Sequence, residues 1–508
     1  MAIAEALAHV WGQLPSIWIL SIVTLPVLSI TYFGARSVYY LWLHPLSKYP
    51  GPLLAATSPL WMMLSYFGGR TPSDLQKVHE KYGPVVRTGP NELSYIHPIQ
   101  WREIYGFKAH GQQEFSKDTK YHSGMNPNSA IINADKEHHG YLRRLLAHGF
   151  SESSLREQES ILQEFLDTMI RRLNEEGHNG EKPLDIMSWY NYLVFDFIGY
   201  LTFGESFNCL TSGSLHTWVG TFFSLARHLS YFQMSVRLPY LLRVPFLYRF
   251  IPKKVVGDMK TLGALNKEKI SHRLKNNPPV PDFMDKLVDA YNSGKLSGEQ
   301  LEGNAQILIA AGSETTATLL SGLTWLLMKN PRALEKLKRE IRTKFSQPHE
   351  VTMTSVNECK YLLGCIEEAL RIYPPSPQPH QRIIPAGGAT VNGEFLPAGI
   401  AVSVPTYAIS NSPLNWTKPE SFIPERWTGE DARYANDKRE SSQPFSYGPR
   451  NCLGRNLAYS EMRLIMARII WHFDFENATD GDWMDQKVYM VWEKSPLWVK
   501  LHPVTRDQ

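Results

Sequence analysis

The stretch Phe445-Ser446-Tyr447-Gly448-Pro449-Arg450-Asn451-Cys452-Leu453-Gly454 constrains this chain more than any other. Two glycines at fixed offsets around a cysteine imply a strained loop and a close backbone approach to something flat. The run Glu461 to Ala467 reads as helical, so Cys452 stands at a loop-to-helix junction. There the positive helix end favours thiolate over thiol, and Arg450 supplies a fixed cation for an anionic neighbour. The other cysteines, Cys209, Cys359 and Cys365, are too few and too scattered for a disulfide framework and form no CxxC zinc half-site. They read as ordinary reduced thiols.

The surroundings of this loop are those of a folded globular protein. Of 508 residues 43% are hydrophobic, and 53 Lys+Arg against 49 Asp+Glu give a formal net charge of +4. Collagen-like, coiled-coil and disordered classes are excluded, and no charge excess points to nucleic acid. No Gly/Ser/Pro-rich linker divides the chain after its first fifty residues, which favours one large domain.

From Val10 to Ala35 no charged residue occurs, and about 20 apolar residues suffice to span a bilayer. Glu5 at the start and the aromatic Tyr32-Phe33 and Tyr39-Tyr40 at the end favour an uncleaved anchor over a signal peptide. Arg36 and Lys48 after it place the rest of the chain in the cytosol. Residues 1–35 are therefore expected as an anchor, 36–52 as a stiff proline-rich connector and 53–508 as the main domain. A cytosolic body makes the sequons at Asn415 and Asn477 chance matches. A second stretch, between Glu205 and Asp258, has no acidic residue, while Arg227, Arg237, Arg243, Arg249, Lys253 and Lys254 stand among apolar ones. It fits a membrane-interfacial segment and equally a core segment with solvated basic residues.

Helical patterns dominate, for instance Ser153 to Leu173, Ser297 to Asn330 and Pro331 to Phe345. A β-rich region runs from Arg382 to Val404, with Asn392-Gly393 as a hairpin turn, and a shorter β-like pair is expected at Val488 to Trp492 and Leu497 to Leu501. The fold class is mainly α with small β-sheets. No Gly-rich dinucleotide loop occurs, so nicotinamide-derived electrons must come from another protein.

The loop matches Phe-x-x-Gly-x-Arg-x-Cys-x-Gly at Phe445, Gly448, Arg450, Cys452 and Gly454, and by this it resembles the haem-binding loop of the cytochrome P450 monooxygenases. The resemblance implies a single large haem-thiolate domain, with Cys452 the axial ligand that pushes electron density onto the iron and Arg450 on a haem propionate. Ala310-Ala311-Gly312-Ser313-Glu314-Thr315-Thr316 resembles the family's oxygen-binding helix. There the small pair Ala311-Gly312 passes against haem and O2, Thr315 donates to the distal oxygen and Glu314 relays protons from solvent. Glu368-x-x-Arg371 and Pro424-Glu425-Arg426-Trp427 resemble the two halves of a buried structural network of Glu368, Arg371 and Arg426. Arg382 and Arg143 match further propionate-binding positions, and His139 stands where the family pattern has tryptophan.

The resemblance covers nearly the whole chain from His44 onward. His44 to Pro52, Phe203 to Phe207 and Trp492-Glu493-Lys494 look like filamentous-fungal microsomal members, which mostly tailor secondary metabolites. It implies haem b (iron protoporphyrin IX), O2 as co-substrate and electrons from an NADPH-dependent flavoprotein reductase, with cytochrome b5 as an optional second donor. It also implies a single-pass endoplasmic reticulum anchor with membrane lipid around it, and hydroxylation of an apolar small molecule. Phenol coupling, desaturation or rearrangement on the same haem, or a membrane haem protein without turnover, are the other readings. Family topology places the pocket on Ser123 to Ile132, Trp218 to Phe232, Leu308 to Thr316, Pro375 to Ile384 and Tyr489 to Trp492.

Overall fold

The computed structural model describes residues 24, 26–119, 126, 128–238, 252–276 and 282–505. The helical body is built from α1 (Lys136–Ala147), α2 (Glu152–Glu176), α3 (Ile186–Phe203), α4 (Thr217–Ser235), α5 (Lys253–Lys275), α6 (Gly298–Lys329), α7 (Pro331–Lys344), α8 (Lys360–Ile372) and α9 (Arg455–His472). The expected helices lie where the sequence puts them, because their ends carry explicit stop signals. Ser297 opens α6 with a capping box: its hydroxyl accepts from Gln300 N, whose side chain accepts from Ser297 N at 3.0 Å. Pro331 ends α6 and starts α7. From Thr316 to Leu327 α6 is buried on every face, the mark of a helix at the centre of a large core. It packs along α3, and both belong to the main hydrophobic cluster with α2, α8 and α9.

Strands β1 (Val85–Gly89), β2 (Glu92–Tyr95) and β3 (Ser116–Lys117) come from the N-terminal part, and β4 (Leu184–Asp185) precedes α3. After α8 follow β5 (Arg382–Ile383), β6 (Ala389–Val391), β7 (Glu394–Leu396) and β8 (Ala401–Ser403). After α9 follow β9 (Phe473–Asn477), β10 (Lys487–Tyr489), β11 (Val491–Glu493) and β12 (Trp498–Pro503). The five-stranded sheet has the order β1-β2-β8-β5-β3, with β2 and β8 parallel and the other neighbours antiparallel. Asn392 and Gly393 both take positive φ, 55° and 75°, and close the β6–β7 hairpin as their residue types require.

The C-terminal β pairing differs from the expectation. Val488 to Trp492 does not pair with Leu497 to Leu501; it folds on itself as the β10–β11 hairpin about Met490, whose φ is 65°. The later run becomes β12 between β4 and β9. Alternation marks each segment as a strand and carries no information on its partner.

The connector is not a free spacer. Leu46 is fully buried, Arg87 Nη1 donates to Tyr40 O at 2.7 Å, and the Tyr49 hydroxyl donates to Glu394 at 2.6 Å. A Cβ on Gly51 would stand 2.3 Å from Arg87 O, so only glycine allows this docking. Most of the expected anchor, residues 1–23 and 25, lies outside the described residues. Residues 26–38 are helical and expose Val27, Leu28, Ile30, Tyr32 and Phe33. Among the described residues no helix is long and apolar enough to cross a membrane.

Two basic residues of the acid-free stretch are engaged by protein. Arg237 is buried against Glu92, and its Nη2 donates to Gln381 Oε1 at 2.7 Å. Arg227 pairs with Glu493. Arg237 therefore cannot serve a lipid headgroup, which corrects the interfacial reading at that position. Lys253 and Lys254 are exposed, and residues 239–251 lie outside the described residues.

Candidate active site

The Cys452 loop is held by its own backbone and by one tight crossing. Cys452 N donates to Phe445 O at 2.9 Å and Asn451 N to Gly448 O at 3.1 Å. Gly448 has φ 76°, and a Cβ there would lie 2.0 Å from Tyr105 O, so the glycine is obligatory. Phe445 packs on Tyr459 of α9, with ring centroids 5.1 Å apart. Cys452 alone of the four cysteines is exposed. Its surroundings are nevertheless dense enough that burial pushes its thiol up, against the opposing pull of the Gly454 N–H, Arg143 and Arg455. The other three thiols are buried, and burial raises each, Cys209 and Cys359 to about 12.

Around this loop stands a set of cations with little to neutralise it. Arg143 donates to Asn451 O and Oδ1 at 2.7 and 2.6 Å, which ties α1 to the loop. Arg450 pairs with Glu114 and donates to Ala134 O at 2.8 Å. Arg382 is buried with its guanidinium 5.1 Å from the Tyr105 ring centroid. Lys117 of β3 stands directly opposite Arg382 of β5 in the sheet register, a like-charge pairing that is unfavourable alone. Burial, Arg382 and Arg450 push the Lys117 ammonium down to about 7, with Glu114 opposing. Burial and then Arg450, Lys117, Arg143 and Arg382 push His139 down to about 4, and burial with Arg382 and Lys117 does the same to His380. Cations so placed can receive carboxylates of a ligand. Ala311 is exposed in the middle of α6, as Cys452 is on its loop. The residues present therefore fit a haem.

On α6 the expected residues divide between two faces. Thr315 lies one turn from Ala311 on the exposed face and donates its hydroxyl to Ala311 O at 2.6 Å. An added Cβ on Gly312 would point to α3 and meet Ile198 Cδ1 at 3.2 Å, so its smallness serves helix packing on that side. Glu314 is buried and ion-paired with Lys494.

Glu368, Arg371 and Arg426 form the expected network, all fully buried. Glu368 accepts from Arg371 Nε and Nη2 at 2.9 and 2.8 Å, from Arg426 Nε at 3.1 Å and from the Trp427 indole at 2.9 Å. Arg371 donates further to the carbonyls of Ser410, Pro419 and Ser421, and Arg426 pairs with Asp437. The contacts of this carboxylate and its cations pin α8 to the segment that leads into the Cys452 loop.

The sequence profile described as Cytochrome P450 matches residues 53–500. The cytochrome P450 monooxygenase hepD of Aspergillus oryzae is 43% identical over 496 residues, 96% of this chain and 97% of the relative. The chain belongs to the cytochrome P450 family. The monooxygenase tpeC of Talaromyces stipitatus is 42% identical, over 92% of each chain. The averantin hydroxylase of Dothistroma septosporum is 39% identical, over 92% of this chain and 89% of that one. This P450 is a haem-dependent monooxygenase that oxidises a small molecule with O2 and electrons from a redox partner.

Several residues at the site escaped sequence reading. Lys117 joins the cation cluster through β3–β5 pairing, Asn451 is named by its contacts with Arg143, and Glu461 of α9 accepts the Thr316 hydroxyl. Of the expected pocket segments, Leu308 to Thr316, Pro375 to Ile384 and Tyr489 to Trp492 are fully described; residues 123–125 and 127 lie outside the described residues. Asn415 is buried with its amide donating to Ile96 O and Ile409 O, so that sequon is not open to a glycan.

Proposed function

We propose that this P450 hydroxylates an apolar small molecule, an intermediate of fungal secondary metabolism, on haem b held by Cys452. The observation that carries the reading is the exposed Cys452 beside the cations Arg143, Arg382, Arg450 and Lys117, against which stands the carboxylate of Glu114. Bound haem would supply the iron that activates O2. Cys452 would ligate it, and Arg143, Arg382, Arg450 and His139 would receive its propionates together with Lys117. Thr315, on the Ala311 face, would hold and pass a proton there, and Glu314 would resupply it. The near-neutral apolar surroundings of α6 would exclude water from the reacting carbon. Phe445, Gly448 and Gly454 shape the loop that presents the sulfur.

The reading extends to the setting. Electrons would come from NADPH through a flavoprotein reductase, with residues 1–35 as a single-pass endoplasmic reticulum anchor and 53–508 as the cytosolic haem domain behind the docked connector 36–52. The uncharged run Val10 to Ala35 and the apolar exposure of residues 26–38 support this placement. A relative named as a hydroxylase supports the reaction type. Turnover under 18O-labelled O2, with the substrate found by comparing metabolites of a deletion strain, tests it. Hydroxylation places one labelled atom in the product; an unlabelled product would replace it with coupling or desaturation.

A further inference from the structure

Glu314 and Thr315 are neighbours in sequence, but one helical step of about 100° separates their side chains. Thr315 sits on the exposed face with Ala311, and Glu314 points into the protein, with 2% of its side chain exposed. Its Oε1 accepts from the Lys494 ammonium and from the Thr318 hydroxyl, the latter at 3.1 Å, while Oε2 has no hydrogen-bond partner. Lys494, itself only 4% exposed, also donates to Thr318 Oγ1 at 2.7 Å. The other titratable group facing Glu314 is Tyr373, whose phenol donates to Gln486 at 2.7 Å and is raised by burial and then by the Glu314 charge.

Lys494 follows directly on the β10–β11 hairpin, and that hairpin is fixed at two other points. The Trp492 indole donates to Pro374 O at 2.8 Å, on the segment that leads from α8 to β5, and Glu493 pairs with Arg227 of α4. The ammonium is thus delivered to the middle of α6 by a rigid element of another part of the fold. A structural ion pair would leave both carboxylate oxygens satisfied. Here one oxygen accepts twice, from Lys494 and from Thr318, and the other is left open at a site where an unpaired polar atom is costly.

We propose that Lys494 is a positioning residue of the proton relay: it holds the Glu314 carboxylate turned away from Thr315, and Glu314 serves the relay only when it exchanges Lys494 for a proton. In that step one proton from water adds to the carboxylate, the acid passes it to the Thr315 side, and the carboxylate returns to Lys494 with no net change. The proposal rests on the haem reading above.

The test compares purified, haem-loaded wild type with Lys494→Met, Lys494→Gln, Lys494→Arg and the double variant Lys494→Met/Glu314→Gln. Infrared spectra report the C=O stretch of a protonated carboxyl, and reductase-driven NADPH oxidation reports the fraction of electrons lost as peroxide at several pH values. An unpaired carboxylate buried this deeply takes up a proton. Lys494→Met and Lys494→Gln should each show a new carboxyl band that the double variant lacks, and a peroxide fraction raised several-fold. Lys494→Arg should show neither. No new band in Lys494→Met and Lys494→Gln, or Lys494→Arg behaving as they do, overturns the proposal. The thiolate–CO band of the same wild-type sample separates the failures: its absence removes the haem reading and the relay with it, whereas its presence with no new carboxyl band removes Lys494 alone.

Discussion

Thr316 donates its hydroxyl to Glu461 Oε2 at 3.0 Å across the interface between α6 and α9, and the other oxygen of Glu461 has no partner. Burial pushes this carboxyl up from its ordinary 4.5 to about 8, with the Thr316 hydrogen bond opposing. The folded protein therefore keeps a proton that the unfolded chain releases above 4.5. Between those two values the native state binds more protons, so stability falls as pH rises, by at most about 1.4 kcal/mol per pH unit from this group. Glu461→Gln should flatten the fall in melting temperature between about pH 5 and pH 8. Parallel wild-type and variant curves would show that Glu461 does not titrate there.

Lys117 opposite Arg382 makes a second, two-sided expectation. Without an anionic ligand the pair repels; with one, each cation gains a charge-assisted hydrogen bond worth about 1.5–3 kcal/mol. Lys117→Met should raise the melting temperature of the haem-free protein and weaken haem retention by about 10- to 100-fold. Haem transfer to apomyoglobin measures the second and thermal unfolding the first. A variant that retains haem as the wild type does would place Lys117 outside the propionate cluster.

The Glu368 network should behave as a unit. Glu368→Gln leaves Arg371 and Arg426 buried with a neutral partner, and removal of one member of a buried ion cluster costs about 3–5 kcal/mol. The expected result is little folded, haem-loaded protein on expression, read by absorbance at equal total protein. Near-normal yield would mean that Asp437 and the carbonyl acceptors suffice.

These cases mark what the sequence discloses. The Cys452 loop, the Glu368–Arg371 pair, and the bounds of α6 are legible because each is set by local requirements: a glycine at φ 76°, an i, i+3 pair, a capping box and a proline. Lys117, Lys494 and Glu461 are not, since each meets its partner across a wide gap in sequence and no spacing rule links them. Gly312 shows a subtler limit. Its place beside Ala311 suggested one shared role, and the 100° step sends it to α3 instead. Arg237 fitted a lipid-facing and a core-segment reading equally, and it is claimed by Glu92.

Removal of residues 1–35 should release the protein into the soluble fraction with haem binding intact, as Leu46 and Tyr49 would still dock the connector. Fractionation of cells expressing the shortened chain measures this. Continued membrane association would assign the contact to the exposed apolar and basic residues that remain, among them Trp42, Leu53, Lys253 and Lys254.

The central claim is that Cys452 ligates haem iron as a thiolate. The reduced protein under CO measures it most directly: the wild type should show the red-shifted Soret band of a thiolate-ligated haem, and Cys452→Ser should lose it. A wild-type spectrum without that band, or a Cys452→Ser spectrum that keeps it, would contradict the assignment.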